Sequence, residues 1–405
     1  MHTSLNILFV SDNIPSPLSG GIERFVNNLS KRLSQEKEIS TYLAYIRAPP
    51  LDCSEHFKTK MQLTEENTET AIATFLQEHN INIIHVNLMN KNNIKHYLPI
   101  LYNEGKHRGI KILFLYHNKP SFEINTMNVN VHFYRIFHCS HFFNNIKDFG
   151  IDILFKLKVL NITQKNFVNK YNRIYQHTDK IVLLSPSYIS IFTKIVKNAN
   201  PNIFCSIGNP LSFDSIITEE VISQKRKEVL IITRLDERQK RISLSLKIWS
   251  IIEKTKQYSD WKLIIVGHGQ DEEYYKKMVS NLNLKNVFFE GKQSPEPYYT
   301  RASIFMMTSA YEGFPLTITE SLQSGVVPIV FDSYDSVHDV VSNEYNGLIV
   351  PNYNINAFAD KLMYLMQNKD RRVEMAENAV ESAKKFHMDN IIPQWLDLFQ
   401  KILSN

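Results

Sequence analysis

The sequence predicts an α/β protein with two doubly wound halves, each a parallel sheet covered by helices. Short apolar runs alternate with stretches of helical periodicity, a pattern typical of parallel sheets. This alternation stops near residue 210 and resumes near residue 228, which indicates two such series in one chain of 405 residues. Hydrophobic residues make up 43% and charged residues 21% of the chain, as in ordinary globular proteins.

The first series is expected to build the N-terminal half. Each of its runs is short, apolar and bounded by polar residues, as expected of a strand that is buried on both faces. The predicted strands are Ile7–Ser11, Thr41–Tyr45, Ile81–Val86, Ile110–Leu115 and Lys180–Leu184, with a further strand-like run at Asn202–Ile207. Helical spacing occurs in Ile22–Leu33 and Ala71–Glu78, and a long helical, aromatic-rich insertion occupies 127–178.

The second series repeats the pattern. Its predicted strands are Glu228–Thr233, Trp261–Val266, Val287–Phe289, Ser303–Met307, Val326–Phe331 and Gly347–Val350. Helices are predicted at 242–256, 271–282, 315–324, 355–368 and 370–387. The polar segment 211–227 indicates a linker, and Ile391–Leu403 has an apolar helical face. We therefore expect domains at 1–210 and 211–388, with a helix at 389–405 that packs back on the first domain.

Cysteine spacing and hydropathy limit the class of protein. Cys53, Cys139 and Cys205 lie far apart and form no Cys-x-x-Cys pair. A disulfide framework or a zinc site is therefore not indicated, and a reducing compartment, the cytoplasm, is expected. Because no run of 18 or more apolar residues occurs, no membrane-spanning helix is expected.

Positive charge is concentrated in one part of the chain. Residues 101–200 hold 14 Lys and Arg against 5 Asp and Glu, whereas the whole chain has a formal net charge of only +5. Seven Phe and Tyr residues lie in the same stretch, between Phe133 and Phe155. The pattern slightly favours a solvated helical surface above an aromatic core; the alternative is peripheral contact of 127–178 with an anionic membrane. Nucleic acid is disfavoured, because the charges are dispersed and no binding motif accompanies them.

Candidate functional residues are most concentrated in segment 309–320. It follows a buried-type strand, and Pro315 suits the first turn of a helix. The N–H groups of Gly313–Leu316 would then point out of the helix start and form an anion site. Glu312 just before the helix and Glu320 within it are natural acceptors for sugar or ribose hydroxyls. For the two glutamates alone, an ordinary helix with an N-terminal and a surface glutamate is the favoured alternative.

Motifs that follow segment 309–320 make its interpretation more specific. Glu312-Gly-Phe-Pro-Leu with Glu320 is followed by Ser324-Gly-Val-Val-Pro328 and by Asn346-Gly-Leu-Ile-Val350. Together they closely resemble the C-terminal signature of family 4 glycosyltransferases, which are retaining enzymes of the GT-B fold. The resemblance spans essentially the whole chain and is strongest over 228–350. It implies two facing Rossmann-like domains, the first binding the acceptor and the second binding a nucleotide-sugar.

The resemblance also implies two groups of site residues. The group acting on the leaving group and the transferred sugar would be Glu312, Arg234, Lys240 and His117. The donor-binding group would be Gly21, Gly267, Gly291, Gly313, Phe314, Pro315, Leu316 and Glu320. In this scheme Glu320 holds the ribose hydroxyls and Glu312 contacts the transferred sugar.

Arg234 and Lys240 suit the departure of a diphosphate. The leaving group gains negative charge as the glycosidic bond breaks, and fixed cations stabilise that charge. No Asp-x-Asp pair that could hold a divalent ion follows a strand, so no metal and no further cofactor are expected. The alternative for the Arg234 loop is a solvated basic loop, since Arg238 and Arg241 are neighbours.

Two departures from the family pattern are visible. His117 is followed by Asn118, where the family often has an acidic residue, and 333–339 contains no glycine. In addition to His117, His85 is a second histidine at the end of a predicted strand.

The expected function is transfer of a sugar, with retention, from a nucleotide-sugar donor, expected to be UDP-linked, to a glycan or lipid-linked glycan in surface polysaccharide biosynthesis. A cytoplasmic protein with peripheral access to the membrane face is expected. The alternatives are a non-catalytic nucleotide-sugar binding module and a sugar-nucleotide epimerase of the same fold. The donor sugar, nucleotide base, acceptor, linkage and pathway stay open, because a few cleft contacts decide such specificity.

Overall fold

A computed structural model describes residues 4–16, 21–48, 54–64, 68–121, 160–213 and 217–404. The described residues divide into two compact units. Unit 1 contains the residues up to Pro120, the segment Ile162–Pro210 and the residues from Met388 onward. Unit 2 contains Leu211–His387. Cys53, Cys139 and residues 127–159 of the predicted insertion lie outside the described residues.

Unit 1 contains a parallel sheet of seven described strands in the order β3-β2-β1-β4-β5-β6-β7. The strands are β1 Leu5–Asn13, β2 Ile39–Arg47, β3 Lys60–Gln62, β4 Ile83–Asn87, β5 Lys111–Tyr116, β6 Lys180–Leu183 and β7 Phe204–Ser206. The predicted strands are confirmed, with ends that differ by no more than two residues. Strand β3 was not predicted; it pairs with β2 at the sheet edge through only three residues.

The helices of unit 1 follow strong local signals. They are α1 Gly21–Leu33, α2 Thr68–Glu78, α3 Lys91–His107, α4 Leu160–Gln176 and α5 Ser187–Ile195, with α15 Met388–Ser404 at the end of the chain. Asn90 caps α3 by accepting hydrogen bonds from two backbone N–H groups of its first turn. The predicted strand Asn202–Ile207 is shorter in the structure, because Pro201–Ile203 form a 3₁₀ turn. Proline fixes φ and lacks an N–H, so it suits the start of such a turn and not a strand.

Helix α15 contributes a buried aromatic face to unit 1. The indole of Trp395 is fully buried, with its ring centroid 5.0 Å from that of His85 and 6.4 Å from that of Phe25. His85 lies on β4 and Phe25 on α1, so the last helix covers residues from both.

Unit 2 contains a parallel sheet of six described strands in the order β10-β9-β8-β11-β12-β13. The strands are β8 Arg226–Ile232, β9 Lys262–Val266, β10 Val287–Gly291, β11 Ala302–Met307, β12 Val327–Asp332 and β13 Leu348–Pro351. All six match predicted strands. The strand order changes direction between β8 and β11, the point where open α/β sheets bind ligands beyond the carboxyl ends of their strands.

The helices of unit 2 are α6 Glu219–Ser223, α7 Glu237–Lys240, α8 Ile242–Ile252, α9 Glu272–Asn281, α10 Glu296–Arg301, α11 Leu316–Gln323, α12 Val337–Val340, α13 Ile355–Gln367 and α14 Lys369–Ala383. Their apolar faces form one buried cluster with the inner strands, including Trp249 and Trp261. The described part of the chain has no helix of the length and apolarity that crossing a bilayer requires.

The predicted linker 211–227 is only partly a connection. Ile222 of α6 is buried in the core of unit 2, and Lys225 Nζ donates to the carbonyl oxygens of Tyr299 and Thr300 at 2.8 and 3.2 Å. The linker prediction is therefore wrong for the second half of this segment. It relied on polarity, but one buried isoleucine and a lysine with backbone acceptors integrate the segment into the unit.

Candidate functional site

The site in unit 2 starts where β8 ends. Arg234 follows this strand, and its side chain is 64% exposed, with guanidinium contacts to Gln239 Oε1 at 3.1 Å and Asp236 Oδ2 at 3.4 Å. Asp236 caps the short helix α7 by accepting from the N–H of Arg238. The loop therefore presents an exposed, weakly held cation beside a rigid turn.

Lys240 and Glu312 form the central contact of the site. Lys240 Nζ donates to Glu312 Oε1 at 2.6 Å, and both side chains are largely buried. Gln239 supports the pair, because its amide donates to Glu312 Oε2 at 3.4 Å and to the Tyr311 carbonyl at 3.2 Å. Lys240 comes from the β8 side and Glu312 from the loop after β11, so the pair spans the point at which the strand order reverses.

Arg241 is an interior residue rather than part of a solvated basic loop. It adopts a left-handed conformation with φ of 50° and is 6% exposed. Its guanidinium donates to the carbonyls of Thr308 and Ser309, each at 2.7 Å, and lies 4.7 Å from the ring centroid of Tyr353. These bonds fasten the end of α7, which carries Lys240, to the start of the loop after β11, which carries Glu312.

A buried carboxylate completes the support of α7. Glu237 accepts hydrogen bonds from the Ser243 hydroxyl at 2.5 Å and from the Tyr275 hydroxyl at 3.0 Å. Its own N–H donates to Asp271 Oδ2 at 2.7 Å. Burial raises the pKa of Glu237, and the hydrogen bonds from Ser243 and Tyr275 oppose that rise.

Glu320 lies inside α11 with only 1% of its surface exposed. The hydroxyl of Tyr299 lies 3.0 Å from Glu320 Oε2 and 3.0 Å from the Thr317 carbonyl. Tyr299 therefore orients the carboxylate that the sequence assigns to ribose binding. No local pattern in the sequence predicts this contact, because Tyr299 and Glu320 are 21 residues apart.

The predicted anion site at 313–316 is narrower than expected. Pro315 has no N–H, and the Leu316 N–H donates to the Phe314 carbonyl at 2.8 Å, so this part of the prediction is wrong for Leu316. The Phe314 ring is buried against Phe386, with centroids 5.4 Å apart. Within the described residues, the N–H groups of Gly313 and Phe314 donate to no other group. They are the two donors that a ligand could reach.

Gly267 and Gly269 bring two loops together. A Cβ on Gly267 would lie 1.8 Å from the Thr233 carbonyl oxygen, and one on Gly269 would lie 2.3 Å from that of Leu235. The Leu235 N–H donates to the His268 carbonyl at 3.0 Å, which extends the strand pairing past β9. The two glycines thus hold the loop that carries Arg234. Gly291, by contrast, has φ of 68° and open space around it.

We expect Gly269→Ala to lower the free energy of unfolding by about 3 kcal/mol, as overpacking against backbone does. A methyl group at this position meets the Leu235 carbonyl, which has to move. Gly109→Ala is the matched control, because Gly109 has φ of +70° but open surroundings. Its cost should stay near the 1 kcal/mol of left-handed strain. Urea unfolding of both variants measures the difference, and equal costs would contradict the steric explanation.

In unit 1, polar residues gather at the ends of β1, β4 and β5. Asp12 at the end of β1 accepts from the N–H groups of Met89 and Asn90 at 2.7 and 3.0 Å. Asn13 donates to Glu23 in the first turn of α1 at 2.7 Å, which fixes the helix that begins at Gly21. Gly21 itself is exposed at the helix start.

His117 follows β5 and is 6% exposed. Its Nε2 lies 3.0 Å from Asn87 Oδ1, and its ring packs edge-on against Phe25 with centroids 5.4 Å apart. His85, which precedes Asn87 on β4, is fully buried between Phe9 and Trp395. Burial lowers the pKa of both histidines to about 3, so both rings are neutral at pH 7.

The arrangement in unit 2 is suited to an anionic, hydroxyl-bearing ligand, with cations, free N–H groups and buried carboxylates at neighbouring strand ends. In unit 1, a neutral histidine, His117, lies at the carboxyl end of that unit's own sheet. The structure brings Arg234, Lys240, Glu312 and Gly267 into one neighbourhood. It places His117 and Gly21 in the other unit.

Comparisons with known proteins agree with this chemistry. The family described as "Glycosyl transferases group 1" matches residues 212–382. A glycosyltransferase of unassigned specificity from Haemophilus influenzae is 25% identical over 60% of this chain and 68% of its own length. An α-1,4-N-acetyl-D-galactosaminyltransferase from Campylobacter jejuni, which acts on a GalNAc-containing diNAcBac-PP-undecaprenol, is 28% identical over 56% of this chain and 62% of its own length.

The fold has close counterparts among solved structures. HepE from Anabaena, in complex with UDP, superposes with a TM-score of 0.72 and 15% identity, covering 98% of this chain and all of that one. Residues 212–382 match the group 1 glycosyltransferase family, and the chain as a whole has the two-domain GT-B fold.

Proposed function

We propose that the protein moves a sugar from a UDP-linked donor to a glycan or lipid-linked glycan acceptor in surface polysaccharide biosynthesis. The observation that carries this proposal is the Lys240–Glu312 pair beside the exposed Arg234 at the reversal point of the unit 2 sheet. Two cations next to a carboxylate suit a site that receives a diphosphate and a sugar together.

The donor assignment has separate support. Glu320 is a buried carboxylate held by Tyr299, and a pair of ribose hydroxyls is a natural donor to such a group. The Gly313 and Phe314 N–H groups suit phosphate oxygens near the start of α11. HepE was crystallised with UDP and with UDP-glucose, and relatives of this chain transfer glucose or N-acetylated hexosamines.

We propose retention of anomeric configuration without a metal. The bond from the anomeric carbon to the diphosphate oxygen breaks while a bond to the acceptor oxygen forms on the same face. The departing phosphate takes the acceptor proton. Arg234 and Lys240 supply the positive charge that a divalent ion would otherwise give to the leaving group.

The test is nucleotide release from a panel of UDP-sugars, with and without glycan acceptors. We expect acceptor-dependent release of UDP, an α-configured product from an α-linked donor, and unchanged rates in excess EDTA. Arg234→Ala should reduce turnover, whereas Lys247→Ala, which removes an exposed cation on α8, should not. Release that ignores acceptors, or an inverted product, would contradict the proposal.

Tyr299→Phe should weaken UDP binding about tenfold, the cost of one hydrogen bond to a charged group. Without the phenol, the Glu320 carboxylate loses its orienting donor while the ring keeps its packing. Isothermal titration with UDP measures the effect. Tyr274→Phe is the control, since that hydroxyl donates to the Met278 sulfur on the same helix. Equal UDP affinity in Tyr299→Phe and the wild-type protein would refute the orienting role.

The basic part of the chain leaves a further proposal open to test. We propose that 127–178 gives peripheral contact with an anionic membrane, through which the enzyme reaches a lipid-linked acceptor. The support is the local excess of Lys and Arg with interspersed aromatics. Flotation with vesicles containing anionic lipid should carry the protein upward at low salt and less at high salt. Absence of flotation at low salt would contradict the proposed membrane contact.

A further inference from the structure

An amide links two buried histidines in unit 1. Asn87 Nδ2 lies 3.0 Å from the His85 carbonyl oxygen and 2.8 Å from His85 Nδ1. On its other side, Asn87 Oδ1 lies 3.0 Å from His117 Nε2. Asn87 is 1% exposed, so these three contacts use an amide that water hardly reaches.

The His85 carbonyl determines which way the amide faces. A carbonyl oxygen can only accept, so the Asn87 atom beside it has to be the donating Nδ2. The opposite orientation would place two oxygen atoms 3.0 Å apart in a buried site, and that arrangement is strongly unfavourable. Oδ1 therefore faces His117, and because Oδ1 only accepts, His117 Nε2 must carry a hydrogen.

The tautomer of His117 follows from this orientation. A neutral imidazole with hydrogen on Nε2 has its lone pair on Nδ1. Facing His117 are Asn87 and His85 on β4 and the ring of Phe25 on α1, none of which carries a negative charge. Nδ1 makes no hydrogen bond with the described part of the chain.

We propose that Asn87 is a positioning residue that holds His117 as the Nε2–H tautomer, so that Nδ1 accepts a hydrogen bond from a substrate hydroxyl. The inference rests on the proposed sugar transfer, and it adds the direction of the hydrogen bond. His117 receives a proton-bearing group and does not donate to a sugar oxygen through Nδ1.

The first test uses the wild-type protein without ligand. Long-range ¹H–¹⁵N correlation spectra of ¹⁵N-histidine-labelled protein report the protonation of each ring nitrogen, and His117→Gln assigns the signal. We expect a protonated Nε2 and an unprotonated Nδ1 at pH 7. A hydrogen on Nδ1 would overturn the proposal, whether or not the protein transfers sugar.

The second test is Asn87→Asp, which keeps the shape of the side chain but places an oxygen beside the His85 carbonyl, so its folding is checked first by urea unfolding. The carboxylate would favour the doubly protonated imidazolium, which has no lone pair on Nδ1. We expect kcat at pH 7 to fall about tenfold, equivalent to one hydrogen bond, and to recover as the pH rises above the pKa of His117. UDP affinity should stay unchanged, since a loss there would indicate general misfolding.

Asn103→Asp is the matched control, because it adds the same charge on the exposed side of α3. It should keep wild-type kcat. If Asn87→Asp shows a doubly protonated His117 and undiminished kcat, the accepting role is wrong although the glycosyltransferase assignment stands. If the variant does not fold, the wild-type tautomer decides.

Discussion

Lys240→Ala is expected to lower kcat about 10²- to 10³-fold, the usual cost of removing one preorganised group that stabilises transition-state charge. Lys240 Nζ is fixed 2.6 Å from Glu312, so its charge stands in place before any donor arrives. Steady-state kinetics with a UDP-sugar and a glycan acceptor measure the loss. The variant also leaves the carboxylate of Glu312, only 7% exposed, without its cation.

Two companion variants make this result interpretable. Lys247→Ala removes an exposed lysine from the neighbouring helix and should retain wild-type kcat. Glu312→Gln keeps the shape of the carboxylate and removes its charge, so it should also lose activity. A Lys240→Ala enzyme within threefold of the wild type would show that the leaving group depends on other cations.

Arg241→Ala is expected to lower the free energy of unfolding of unit 2 by about 3–5 kcal/mol. The guanidinium donates to two carbonyl oxygens at 2.7 Å, and the variant leaves both acceptors buried without that partner. Ala and Arg bear similar strain at φ of 50°, so the difference reports the lost contacts. Urea unfolding followed by tryptophan fluorescence measures it, through the buried Trp249 and Trp261.

Arg241→Gly and Arg234→Ala separate strain and charge from these contacts. Glycine removes the left-handed strain, so Arg241→Gly should be about 1 kcal/mol more stable than Arg241→Ala. Arg234 is 64% exposed, and its removal should change stability by no more than about 0.5 kcal/mol while reducing activity. Equal stability losses in Arg241→Ala and Arg234→Ala would contradict the fastening role of Arg241.

The sequence predicted both sheets because their strands are apolar on both faces and stand between helices of clear periodicity. Motif spacing placed Arg234 and Lys240 in the segment after a strand, Glu312 just before a helix and Glu320 within that helix. Contacts between distant residues had no local signal. The hydrogen bond from Tyr299 to Glu320 and the buried guanidinium of Arg241 depend on which side chains meet after folding.

Short local patterns in the sequence also did not predict every contact and strand. Lys225 stands in a run of charged residues and yet donates to two backbone carbonyls. Gly267, which the resemblance assigns to donor binding, has a further role in the structure: like Gly269, it lacks the side chain that would keep the Arg234 loop away. Strand β3 was missed because three residues give too short a pattern to recognise.

The burial of Trp395 in unit 1 has a consequence for biosynthesis. During translation, 1–210 leaves the ribosome long before Met388–Ser404 is made, so the surfaces of His85 and Phe25 have no indole to cover them. Nascent unit 1 therefore lacks part of its core until unit 2 and the last helix, Met388–Ser404, have been synthesised. A fragment ending at Pro210 should expose aromatic surface and bind hydrophobic dyes or chaperones, and separate addition of a peptide spanning 388–404 should reduce that binding.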